Sequence, residues 1–251
     1  MNNEFVNNCP QGVFQKSIEI LPEYADANGN VTPGALARIM QDATEAHMDE
    51  VGLGYLTLRN QGLLWFIVWT SIWIKTLPKQ GQTCVVRTWP GEVKLGMYSR
   101  RYGFYTEAGE ELLVASSLFM MIDEETRKMV PPNELPSELA EIVMEGQPIL
   151  PKQRLKFPEL PLAQNHTVPE YEIDKNGHVN NVYYLDWAYD LMNAEYMEKH
   201  PLKFFWVQYS KELMLGDTVA LQNMFQNNEF YVKGVTNGET SFMVKMDFEE
   251  A

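Results

Sequence analysis

Apolar positions follow two rhythms along this chain, and the two appear in the same order twice. After Val31, residues Leu36, Ile39, Met40, Ala43, His47 and Val51 keep the i, i+3, i+4, i+7 spacing of an amphipathic helix. Thr32 and Pro33 suit its N-cap and first turn, and Gly52 and Gly54 its stop. A second helical stripe runs through Val182, Leu185, Ala188 and Met192, with Asn180 or Asn181 as its cap. Each helix follows a strand and precedes strand-like segments. These are expected at 64–76, 83–89, 97–106 and 112–122 in the first half, and at 204–213, 218–226, 229–235 and 240–248 in the second. Glu107-Ala108-Gly109-Glu110 marks a turn, and Asn237-Gly238 is a type I′ hairpin signal. The run 63–74 is apolar with little alternation, as in a strand buried on both faces.

Eight of the fourteen prolines fall between Pro131 and Pro169, a stretch with one short helical run at 137–144. The expected organisation is a first unit over 1–124, a Pro-rich linker over 125–164 and a second unit over 165–251. One helix per unit, followed by strands joined through tight turns, predicts an α+β fold. In it an antiparallel sheet wraps each helix, and the two sheets can merge into one.

A polar phrase introduces each helix. Asp26-Ala27-Asn28-Gly29-Asn30-Val31 and Asp174-Lys175-Asn176-Gly177-His178-Val179 differ where chemistry would notice, at Asn30 and His178. Asp, Asn and Gly favour turns, and the helix start beyond offers free N–H groups and the positive end of the dipole. Asp174, Asn176 and His178 are spaced by two, which lets a carboxylate, an amide and an imidazole share one surface. A second echo, Gly81-Gln82-Thr83 against Gly216-Asp217-Thr218, opens a strand in each half.

A formal net charge of −14 argues against a nucleic-acid partner. Local basic clusters remain at Lys94, Arg100 and Arg101 and at Lys152, Arg154 and Lys156. No apolar run is long enough to span a membrane, and the start lacks the basic and apolar regions of a signal peptide. Two cysteines, Cys9 and Cys84, make no disulfide framework, so a reducing cytoplasm is the expected location. Four separated histidines give no zinc spacing, and neither a metal nor a cofactor is expected.

The stretch from Asp174 to Tyr184 resembles the D-x-N-x-H-V-N-N-x-x-Y signature of acyl-acyl carrier protein thioesterases. Tyr209-Ser210-Lys211-Glu212-Leu213 is similar to the family's Y-R-R-E-C segment, and the resemblance extends over most of the chain. It implies a tandem double hotdog, with two antiparallel sheets merging around two central helices. It implies catalytic roles for Asp174, Asn176, His178 and Glu212. Leu213 stands where the family has a cysteine, which removes a covalent cysteine mechanism at that position. Without the N-terminal extension of plant members, the sequence is expected to be a bacterial version.

The resemblance implies an acyl chain held by the first unit, with Met40, Ala43, His47, Trp65, Ile67 and Trp69 as candidate lining residues. It also implies an acyl carrier protein bearing a fatty acyl chain as partner; a second copy of the chain is a further candidate. His178 and Glu212 would activate water, Asn176 would donate to substrate or water, and Asp174 would orient or attack. Main-chain N–H groups near Val179 and Asn180 would polarise the carbonyl. The competing expectations are a coenzyme A thioesterase of the same superfamily and a non-catalytic acyl-thioester sensor.

Overall fold

The computed structural model describes residues 4–131, 134, 136 and 157–250. The helical run expected at 137–144 and the cluster Lys152, Arg154, Lys156 lie outside the described residues. The helices are α1 (Glu4–Asn7), α2 (Pro33–Glu50), α3 (Tyr55–Arg59), α4 (Val182–Asp190) and α5 (Ala194–Lys199). The strands are β1 (Phe14–Glu19), β2 (Leu63–Ile74), β3 (Thr83–Lys94), β4 (Met97–Thr106) and β5 (Glu111–Asp123), then β6 (Leu162–Thr167), β7 (Leu202–Tyr209), β8 (Thr218–Gln226), β9 (Glu229–Thr236) and β10 (Glu239–Phe248).

All ten strands join one antiparallel sheet in the order β1-β3-β4-β5-β2-β7-β10-β9-β8-β6. The order reads the same from both ends once β1 is matched to β6, β2 to β7, β3 to β8, β4 to β9 and β5 to β10. β2 and β7 meet at the centre, with Thr70 opposite Val207 and Ile72 opposite Phe205. This explains the apolar run at β2, which is flanked by strands on both sides and covered on both faces along its second half.

The two long helices pack against each other on one face of the sheet. Leu36 and Ile39 of α2, Leu185 and Ala188 of α4, and Phe104, Leu113, Phe205, Val232 and Phe242 of the sheet belong to one core. Full burial of each large side chain is worth roughly 1.5–3 kcal/mol. Gly34 lets the helices approach, because a Cβ there would lie 1.8 Å from Asp186 Oδ1. Thr32 caps α2 by accepting the Ala35 N–H at 3.2 Å. α4 starts at Val182, where its stripe begins, and ends at Asp190, leaving Met192 beyond it.

Two expectations need correction. Strand 204–213 stops at Tyr209, because the N–H groups of Ser210 and Lys211 both turn to the Ser241 carbonyl. The chain then leaves the sheet and carries Glu212 toward the 174–178 turn. The cluster Lys94, Arg100, Arg101 is no exposed basic patch, since Arg100 and Arg101 are 4% and 6% exposed. The sheet is covered on both faces at β4, so alternation there sends neither side chain to water.

Candidate functional site

The two copies of the polar phrase fold alike. Gly29 and Gly177 both take positive φ, at 74° and 81°. The Asp26 and Asp174 carboxylates each accept the N–H two residues on, at 2.9 and 2.7 Å. Bridges Ala25–Val31 and Ile173–Val179 close the turns. The Gly81 and Gly216 echo is also spatial: Gly81 N–H donates to Ile20 and Gly216 N–H to Val168, at 2.8 and 3.0 Å. Val31 N–H donates to the Pro78 carbonyl and Val179 N–H to that of Leu213, at 3.0 and 2.8 Å. Pro78 therefore matches Leu213, and Leu77 matches Glu212. The first copy keeps the carboxylate of Asp26 but has Asn30 in place of His178 and Leu77 in place of Glu212.

In the second copy His178 Nε2 lies 3.5 Å from Glu212 Oε2. Both side chains are largely covered, at 20% and 33% exposed. Arg127 pairs with the other Glu212 oxygen. Arg127 follows β5 in a tight turn at φ 57°, so the start of the expected linker reaches the second unit's turn. Asp174 Oδ2 lies 3.4 Å from Asn176 Nδ2, and Asn176 Oδ1 accepts the Tyr55 hydroxyl at 3.0 Å. Arg59 donates to the same Tyr55 oxygen. Lys175 sits 3.8 Å over the Tyr55 ring and donates to Glu45 at 3.1 Å. α3 thus fixes which way the Asn176 amide points.

A cavity of about 530 Å³ opens beside this turn, between α2 and the sheet of the first unit. Asp174, Lys175, Asn176, Asn180 and Asn181 line it at one side, with Met40, Trp65, Ile67, Leu63 and Phe119 among its apolar walls. His178 and Glu212 are not lining residues; they face each other beside it. Of the six lining candidates, Met40, Trp65 and Ile67 line the cavity. Ala43 lies in the common core, and His47 is buried behind the wall with Nδ1 3.1 Å from Arg100 Nη1. Trp69 is on the opposite face, packed with Phe204 and Trp206. A bulge between Ile67 and Trp69 causes this: Leu63, Trp65 and Ile67 face the cavity before it, and Thr70, Ile72 and Ile74 take the same side after it.

The expected carbonyl donors also move. Val179 N–H is taken by Leu213 and Asn180 N–H by the Glu172 carbonyl at 2.9 Å. Neither is free to polarise a bound carbonyl. Asn180 Oδ1 accepts Val182 N–H at 3.2 Å, leaving Asn181 N–H, at the cavity wall and the start of α4, without an acceptor among the described residues. Tyr55, Arg59 and Arg127 were missed from sequence because no local spacing ties them to the phrase; Asn181 stood in the signature and as a cap candidate, with no role expected of its N–H. Leu213 is fully buried in the core. Among the described residues no group of three or more His, Cys, Asp or Glu is arranged to hold a metal ion, and no helix is long and apolar enough to cross a membrane.

The sequence model of the acyl-ACP thioesterase N-terminal domain matches residues 11–142, and that of the acyl-ACP thioesterase C-terminal domain matches residues 158–250. The chain is 26% identical over 227 residues to dodecanoyl-[acyl-carrier-protein] hydrolase of Cinnamomum camphora, covering 84% of this chain and 59% of that protein. It is 27% identical over 241 residues to oleoyl-acyl carrier protein thioesterase 2 of Arabidopsis thaliana, covering 85% and 64%. It thus spans about three-fifths of these relatives' length. Among solved structures, an acyl-ACP thioesterase from Bacteroides thetaiotaomicron matches with a TM-score of 0.86 at 26% identity, over 99% of this chain and 100% of that one. The 12:0-ACP thioesterase of Umbellularia californica shares the fold, with a TM-score of 0.85 at 20% identity over 96% and 99% of the two chains.

Proposed function

The chain belongs to the acyl-ACP thioesterase family, and from that premise we propose that it hydrolyses fatty acyl thioesters carried on acyl carrier protein. The products are a free fatty acid and the carrier thiol, a reaction of fatty acid biosynthesis. The observation that carries the reading is one juxtaposition. A His178–Glu212 pair at 3.5 Å stands beside the mouth of a mostly apolar cavity, with Asp174 and Asn176 on its rim.

In this reading the first unit holds the acyl chain against Met40, Trp65 and Ile67, and the second unit carries the chemistry. The thioester carbonyl meets the Asn176 amide and the Asn181 N–H, where the dipole of α4 adds to the stabilisation of a developing oxyanion. Water enters between His178 and Glu212. One of the pair removes its proton as the water oxygen attacks the carbonyl carbon, and the collapsing intermediate expels the carrier thiolate, which takes that proton. Arg127 steadies Glu212. Both Asp174 oxygens already accept hydrogen bonds from Asn176, which supports an orienting role over direct attack. Cys9 and Cys84 stand as free thiols, and Cys84 is fully buried, in keeping with a cytoplasmic setting.

The experiment is hydrolysis of dodecanoyl carrier protein by the wild type, His178→Ala and Glu212→Ala. The expected result is a loss of about a hundredfold or more in kcat in each folded variant. Wild-type rates in both would overturn the assignment. Faster turnover of the matched coenzyme A thioester would move the reading to a coenzyme A thioesterase.

A further inference from the structure

A cavity for a plain hydrocarbon tail should be lined by hydrocarbon. One part of this cavity is not. Arg100 of β4 lines it and is 4% exposed. Its Nη1 lies 3.1 Å from His47 Nδ1 and donates to Thr88 Oγ1 at 3.2 Å, while Nη2 approaches the Met48 sulfur at 3.0 Å. All three are neutral acceptors: burial and the neighbouring guanidinium push His47 down to about 4, so the imidazole carries no charge at neutral pH. Arg100 forms no ion pair among the described residues, and burial holds its pKa below the usual guanidinium range. A guanidinium presents five N–H donors, and three contacts leave some unfilled.

The polar character extends to its neighbours on the same wall. Thr44 donates its hydroxyl to the Met40 carbonyl at 2.9 Å, so the Tyr102 hydroxyl, 2.8 Å away, is the donor to Thr44. Thr70 and Ser117 hydroxyls pair at 2.8 Å. Burying a charge without a counter-charge is costly, and covering it with methylene groups would raise that cost by removing the remaining water. The cost falls when the group that enters brings an oxygen.

Resting on the thioesterase reading, we propose that this wall is a subsite for an acyl chain bearing a hydrogen-bond-accepting oxygen, a carboxylate or hydroxyl, on the carbons that lie against Arg100. A carboxylate fits best, since a guanidinium grips it through paired, charge-assisted bonds. An ordinary saturated tail leaves the cation uncompensated. The substrate class is then oxygenated acyl thioesters, with the half-thioesters of dicarboxylic acids foremost.

The test uses the full chain and two matched series of carrier thioesters, from six to fourteen carbons. One series ends in methyl, the other in carboxylate or hydroxyl. At one length or more the oxygenated tail is expected to exceed the plain one by about tenfold in kcat/KM. Arg100→Met is expected to reverse that preference, and Arg100→Lys to keep part of it. Binding of the free mono- and dicarboxylic acids, read by calorimetry, needs no turnover. If no thioester is hydrolysed but the dicarboxylic acid binds tighter, the hydrolase reading fails and the subsite stands. Should wild type prefer the methyl-ended member at every length, in both turnover and binding, the subsite is overturned, whether or not the Arg100 variants fold.

Discussion

The Tyr55 hydroxyl, in the first unit, donates to the Asn176 side-chain oxygen, in the second, at 3.0 Å across 121 residues of chain. Arg59 donates in turn to Tyr55, so the Tyr55 proton is directed at Asn176 and the amide nitrogen is left facing Asp174 and the cavity. If Asn176 acts as a donor, Tyr55 keeps it the right way round. Tyr55→Phe is expected to lower kcat about fivefold, the worth of about 1 kcal/mol of lost hydrogen bonding, with KM little changed. Steady-state kinetics on dodecanoyl carrier protein measures this; a KM effect alone would make Tyr55 a contact for the substrate instead.

Arg127, just past the first unit's last strand, holds Glu212 of the second unit. Arg127→Gln is expected to reduce kcat about tenfold while leaving the melting temperature within a few degrees, because this pair is partly exposed and such pairs add little stability. Calorimetric melting alongside kinetics separates the two effects.

His47 ties stability to pH. In the folded state it is pushed down to about 4 from its ordinary value near 6.5, by burial first and by Arg100 second. The native state therefore resists a proton that the unfolded chain accepts. The stability from neutral His47 is complete above pH 6.5 and is lost as pH falls toward 4, by about 3 kcal/mol. Urea denaturation at a series of pH values should show this slope, and His47→Gln should flatten it.

Gly234 of β9 faces Phe242 of β10 so closely that a Cβ would lie 2.1 Å from the ring. Phe242 is fully buried in the core. Gly234→Ala is expected to destabilise the fold by about 2–3 kcal/mol. Adding Phe242→Leu should recover part of that loss, which a double-mutant cycle reads directly.

Much of the fold was legible because it depends on local pattern. The 3.6-residue stripe at 36–51 and the Thr32 and Pro33 cap predict α2, which runs Pro33–Glu50. The turn signals at 107–110 and 237–238 set the strands they join, and strand 97–106 agrees with β4 to the residue. The doubled Asp-x-Asn-Gly phrase and the Gly81 and Gly216 echo anticipate paired units because each is a turn whose geometry its own residues specify. The site was less legible. The bulge in β2 that sends Trp69 away from the cavity leaves no mark in an almost wholly apolar run.

The sequence alone determined two related units, their helices and turns, and the asymmetry between Asn30 and His178, since each rests on backbone preferences spanning a few residues. The tertiary structure decided which side chains meet. It alone ended β7 at Tyr209 and so brought Glu212 to His178, engaged the Val179 and Asn180 N–H groups, and left Asn181 at the helix start. It alone carried Tyr55 and Arg127 across the junction and enclosed Arg100 in the cavity wall. These relationships depend on long-range register and on competition for hydrogen-bond partners, and neither is written in the spacing of residues along one segment.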